Sequence, residues 1–199
     1  MSKQDDTQRP ICRDTALGGR LSPFKGQWPT VPESAFIFHG AQVVGDVTLG
    51  EHVSIWHNCV LRGDVNSIRV GERSNIQDGT VIHVSTRTFP TTIGRDCLIA
   101  HMAMLHGCTL KDRAFVGMGA VVMDNCTIEE DGMLAAGAML TPEKTVGSCE
   151  LWAGRPAKFV RMLTDAELEK NRSMAEHYHQ LALQHKADAE GRTLDRPYP

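Results

Sequence analysis

A branched or long aliphatic residue recurs at every sixth position through most of the chain: Ile37, Val43, Leu49, Ile55 and Leu61, then Val70, Ile76 and Ile82, then Ile93, Ile99 and Leu105. After a five-residue step to Leu110 the interval resumes through Val116, Val122, Ile128, Leu134 and Leu140. Four positions after most of these stands a small or β-branched residue, among them Ala41, Val53, Cys59, Thr80, Cys97, Ala103, Thr109, Ala114, Ala120 and Cys126. One large and one small inward position in every six suits a narrow prism whose interior is filled without voids. Glycine follows the aliphatic at Gly50, Gly71, Gly94 and Gly117, where a corner needs a permissive backbone.

This grammar resembles the hexapeptide-repeat proteins, and the resemblance implies an all-β fold: a left-handed parallel β-helix with a C-terminal α-helix packed along it. The hand comes from the resemblance, since parallel crossovers elsewhere are right-handed. Three sixes then make one triangular coil, with successive coils about 4.8 Å apart. Two breaks in the count, Asp64–Ile68 and Ser85–Thr92, are expected to loop out at corners. Thr164, Asp165 and Glu167 form a helix-start signal. Leu163, Leu168, Met174, Tyr178, Leu181 and Leu183 then offer an apolar stripe for a helix over about 165–187. The expected organisation is a polar N-terminal extension (1–30), the β-helix (31–160), the C-terminal helical unit (161–188) and a flexible tail (189–199).

The net charge of −3 and the lack of any Lys/Arg run leave no electrostatic footprint for nucleic acid or an anionic membrane. The first twenty residues are polar and broken by Pro10, Gly18 and Gly19, and no later stretch has the length of a membrane span. The six cysteines lack the spacing of a disulfide scaffold or a metal knuckle, so they read as reduced thiols and the location as cytoplasmic. Cys59, Cys97 and Cys126 fall in the small inward slot, which makes them core residues before anything chemical.

Coil counting places three histidines. His83 follows Ile82 and His106 follows Leu105, one coil later, so the two stack on one edge a single strand spacing apart. Both imidazoles can then reach one metal at about 2.0–2.1 Å. His101 lies on another side of the triangle, roughly 16 Å away along an extended chain, and cannot share that metal within one chain. A neighbouring prism could supply it, and a closed ring of such contacts fits threefold symmetry.

The segments SIWHNCVLRGDVNSIRVG (54–71), SNIQDGTVIHV (74–84), AHMAMLHGCTL (100–110), VGMGAVV (116–122) and WAGRPAKFVRML (152–163) resemble the successive signatures of the γ-class carbonic anhydrases over roughly residues 30–180. The resemblance implies a homotrimer that interconverts CO2 and bicarbonate through a metal-bound hydroxide at the subunit interface. It implies His83, His101 and His106 as metal ligands, two from one subunit and one from the next, with Zn2+ as the first candidate and Fe2+ or Co2+ also suited to imidazole. It further implies Gln77 as hydrogen-bond partner of the bound water or bicarbonate, Asn75 and Tyr178 as residues lining the site, and Arg62 with Asp78 as a pair bridging subunits. The chain departs from the fast members of the class. Positions 84–92 contain no carboxylate, and Val65 stands where those members carry an acid. Two alternatives remain open at this point. One is an acyl or acetyl transferase drawing on acyl-CoA, which needs a basic histidine and no metal. The other is a catalytically silent metal-binding relative, an assembly subunit or a thioesterase.

Overall fold

The computed structural model describes residues 12–192. They form a left-handed parallel β-helix of about 7 turns with one C-terminal helix. Its three faces are stacks of parallel strands whose inward residues align from coil to coil. On the first face Ile37, Ile55, Ile76, Ile99, Val116, Leu134 and Trp152 align. The second aligns Leu21, Val43, Leu61, Ile82, Leu105, Val122 and Leu140. The third aligns Val47, Ile68 and Thr91, with Leu49, Val70, Ile93, Leu110, Ile128 and Val146 beside them.

The every-sixth aliphatics and the small residues between them make a single continuous core. Loss of one such large side chain, as in Leu105→Ala, typically costs about 2–5 kcal/mol, because a stacked coil cannot collapse into the hole. Cys59 and Cys97 sit in this core, where burial pushes each thiol up to about 12. In one coil the small slot differs from expectation. The five-residue step from Leu105 to Leu110 moves it from Thr109 to Cys108, which is buried while Thr109 turns outward.

The break at Asp64–Ile68 does not loop away from the prism. Val60–Val70 is one continuous strand that bends from the second face to the third, and its extra residues form a bulge against Gln42–Leu49. Backbone hydrogen bonds on both sides of the bulge keep it paired. Ser85–Pro90 does leave the sheet, closed by the Ser85 amide donating to the Phe89 carbonyl (3.0 Å).

The described part of the polar N-terminal stretch enters the prism. Arg20–Ser22 pairs in parallel with Gln42–Val44, and Arg13–Asp14 pairs with it from the other side. At the far end, the hairpin Glu150–Gly154 with Ala157–Met162 closes the coil, so residues 161 and 162 are strand and not helix. The helix spans Asp165–Ala189, opened by a capping box in which Thr164 and Glu167 satisfy each other's backbone amides. It lies on the first face, over Asn75–Ile76 and Leu98–Ile99. Its fully buried residues are Ala175, Ala182 and Ala187, while Tyr178 and Leu181 are half-buried beside them. Small side chains let the helix axis approach the sheet closely, so the longer apolar residues flank the contact line. The expected tail beyond residue 192 lies outside the described residues.

Candidate metal centre

The register of the second face places Arg62, His83 and His106 in one outward column at its downstream edge, because Leu61, Ile82 and Leu105 beside them are paired inward. His83 Nδ1 lies 3.2 Å from His106 Nε2. The outer nitrogens are both engaged: His83 Nε2 with Asp64 Oδ1 at 3.0 Å, and His106 Nδ1 with Asp124 Oδ1 at 2.9 Å. Arg62 donates to the other oxygen of Asp64 at 2.6 Å. Burial opposes charge on Asp64, but the hydrogen bonds from His83 and Arg62 outweigh it and hold the carboxyl below its ordinary range. Asp124 is likewise held low, burial again being outweighed, here by Ser85 and His106.

The chemistry of this donor set is specific. An ionised carboxylate only accepts, so each outer nitrogen carries the N–H of its ring. When both rings are neutral, the two inner nitrogens therefore face each other as lone pairs across 3.2 Å. That is unfavourable unless a cation lies between them. Two imidazole nitrogens bound tetrahedrally at 2.0–2.1 Å stand about 3.3 Å apart. The pair fits a divalent metal in both spacing and protonation. Among the described residues of one chain, however, no group of three or more His, Cys, Asp or Glu side chains converges as a metal site.

The other predicted residues gather at the upstream edge of the same face. His101 Nδ1 is 3.0 Å from Asp78 Oδ2, and His57 Nδ1 is 3.3 Å from Asp78 Oδ1, in a column of corners stacked one coil apart. Next to Asp78, Gln77 is buried and donates through Nε2 to Asn75 Oδ1 at 3.1 Å, while Asn75 Nδ2 reaches the Cys97 carbonyl at 3.5 Å. Tyr178, on the helix, packs edge-on against Trp56 at 5.7 Å between ring centroids. The partnership of Arg62 with Asp78 is expected between subunits, and within one chain each has other partners. Arg62 is taken by Asp64, and Asp78 by two histidines.

Sequence reasoning overlooked Asp64, Asp124, Ser85 and His57. A signal for three of them existed. Asp64 stands three residues after Leu61 and Asp124 two after Val122, so coil counting brings both to the edge that holds His83 and His106. His57 was open to the same counting, since it stands two residues after Ile55 as Asp78 does after Ile76 and His101 after Ile99; Ser85 was not, because a loop outside the repeat begins there.

No family model matches the chain. Gamma carbonic anhydrase 1, mitochondrial, from Arabidopsis thaliana is 45% identical over 165 residues, which cover 80% of this chain and 60% of that protein. The carbonic anhydrase of Geobacillus kaustophilus is 36% identical over 173 residues, covering 87% of this chain and 94% of that one. Among solved structures, the hexapeptide transferase family protein from Anaplasma phagocytophilum is 50% identical with a TM-score of 0.79, covering 82% of this chain and 96% of that chain. The chain spans about 60% of the length of the plant relatives it matches.

Proposed function

The chain belongs to the γ carbonic anhydrase family, and on that premise we propose that it interconverts carbon dioxide and bicarbonate at a divalent metal held between copies of itself in a homotrimer. The observation that carries this reading is the pair of inner nitrogens of His83 and His106, 3.2 Å apart with both outer nitrogens committed to carboxylates. Two nitrogens are too few for a catalytic site, which takes three protein ligands and leaves one position open. His101, on the opposite edge of the same face, is the third, supplied by the neighbouring copy.

The surface between the two edges supports the assembly. Outward positions on the second face are Val60, Val81, Met104, Val121 and Met139, with Met102 and Met118 at the adjacent corner. Val81 is 41% exposed, Met118 59% and Met102 74%. A contiguous apolar stripe of this kind wants covering, and a second prism laid along it would bring His101 of one copy to His83 and His106 of the next.

Zinc bound by neutral imidazoles brings the ionisation of a water molecule to about pH 7, and Fe2+ or Co2+ would suit the same donors. The protein's own residues do the remainder. Asp64 and Asp124 hold the two rings, and the Asn75–Gln77 pair presents a fixed amide for hydrogen bonding to substrate or product. Tyr178 closes the helix side. The free cysteines suit a reducing compartment, and we assign the cytoplasm.

Elemental analysis of the purified chain should find about one divalent metal per subunit, and the metal-replete protein should hydrate CO2. Metal-free protein after growth with ample zinc, iron and cobalt would sink the proposal. The likeness to a hexapeptide transferase family protein keeps group transfer as the competing reading; acyl-CoA turnover that survives complete metal removal would establish it instead.

A further inference from the structure

The loop Ser85–Pro90 brings no carboxylate to the site, yet it is not idle there. The Ser85 hydroxyl donates to Asp124 Oδ1, the same oxygen that meets His106 Nδ1 at 2.9 Å. Asp124 arrives from the next coil, and Gly107 makes room for it. Gly107 has φ +54°, and a Cβ there would lie 2.4 Å from Asp124 Oδ1 and 2.9 Å from Phe89 Cβ. The glycine after His106, the serine two residues after His83 and the aspartate of the following coil thus form one built contact behind a single imidazole.

We propose that Asp124, buttressed by Ser85 across the Gly107 gap, is a positioning residue that locks His106 in the Nδ1–H tautomer and so keeps its Nε2 lone pair aimed at His83. The inference deepens the metal reading above and rests on it for its purpose, but the tautomer is a property of the metal-free chain. A free neutral imidazole favours its proton on the other nitrogen, Nε2, where it would block the ligand position. An ionised carboxylate fixed at Nδ1 reverses that preference, and such partners of metal-binding histidines typically change metal affinity 10–100-fold. The hydrogen bond from Ser85 holds the Asp124 carboxylate in place at Nδ1. Asp64 also contacts Arg62, so its loss would disturb charge pairing as well as ring orientation. Asp124 separates the two effects because its partners at this site are a hydroxyl and the ring.

The test uses the full chain in two states. In metal-free protein, long-range proton–nitrogen correlation spectra, with the His106 signal identified by its loss in His106→Gln, should show Nδ1–H in the parent. In Asp124→Leu the proton should move toward Nε2, and zinc affinity measured by competition with a chromogenic chelator should fall 10–100-fold. Asp124→Asn, which retains an acceptor oxygen, should keep the tautomer and lose less affinity. If Asp124→Leu does not fold, Asp124→Ser, too short to reach the ring, is read in the same way. A folded variant of either kind that keeps Nδ1–H on His106 and parental zinc affinity overturns the proposal. A parent chain that shows the tautomer shift on mutation but binds none of zinc, iron or cobalt would support Asp124 as the locking group and defeat the metal reading alone.

Discussion

Two faces of the prism obey the same interior rule and differ entirely outside. On the third face the outward column reads Thr48, Arg69, Thr92, Thr109, Thr127 and Thr145. On the second it reads Val60, Val81, Met104, Val121 and Met139. Threonine is a good strand residue whose hydroxyl satisfies water, so the third face is finished as it stands. The second is apolar where strand alternation would place polar groups, and it carries His101 at one edge and His83 with His106 at the other. The difference teaches that the repeat decides how the chain folds, while the residues pointing away from the core decide which side is finished by water and which is left apolar.

The largest expected effect comes from making the second face resemble the third. Met104→Glu places a charge in the middle of the stripe and should convert the assembly to monomers in sedimentation velocity, with loss of tight metal binding. The matched change Thr109→Glu should leave mass and metal unchanged, with stability within about 0.5 kcal/mol. Equal effects from the two variants would erase the distinction between the faces.

A milder disturbance asks whether the two edges of that face belong to one site. His83→Ala and His101→Ala should each bind metal poorly alone. Refolded together in equal amounts, they should recover roughly a quarter of parental binding, because one subunit pairing in four supplies all three nitrogens under cyclic symmetry. No recovery in confirmed mixed trimers would mean that the edges do not meet.

The first face offers the third comparison, since its cover is the chain's own helix. Asp131, buried, binds Arg113 of the prism at 3.0 Å and Arg172 of the helix at 3.1 Å. Burial opposes its charge, but the hydrogen bonds from Arg113 and Arg172 prevail and lower its pKa. A depressed carboxyl stabilises the fold above its ordinary value and ceases to do so as pH falls through its folded value. Because both arginines are partly exposed, Asp131→Ala should cost about 2 kcal/mol rather than the 3–5 of a fully buried pair. Urea titrations at neutral pH should show that loss, and parent and variant should converge as the pH is lowered below the carboxylate range.

The smallest effect concerns turnover. The Ser85–Pro90 loop has no carboxylate, and Asp64 and Asp124 are committed to the rings. CO2 hydration should therefore rise a few-fold with added imidazole buffer at constant pH and ionic strength, as expected when proton release limits the rate. A rate indifferent to buffer would point to a shuttle elsewhere on these surfaces.

The interior was legible because every sixth residue performs the same task. Ile82 and Leu105 could be assigned to stacked coils by counting alone, and His83 and His106 went with them. Counting failed where the number of residues per side changes. At the five-residue step the buried slot passed to Cys108 from Thr109, and the insertion after Leu61 stayed in the sheet as a bulge, since leaving it would have stranded backbone donors and acceptors. The helix was visible from its cap, but its contact line runs along alanines, which no hydrophobicity pattern singles out.

Along the chain itself, the repeat determined the architecture, the core and the two edges on which the histidines stand, because a period of six admits one inward arrangement. Tertiary structure alone decided what surrounds those histidines. Arg62 turns to Asp64, Asp78 is shared by His57 and His101, and Ser85 joins Asp124 behind His106. These choices are made between side chains of comparable reach, separated by 2 to 39 positions in sequence. Hydrogen-bond geometry selects among them only after stacking has brought the coils together.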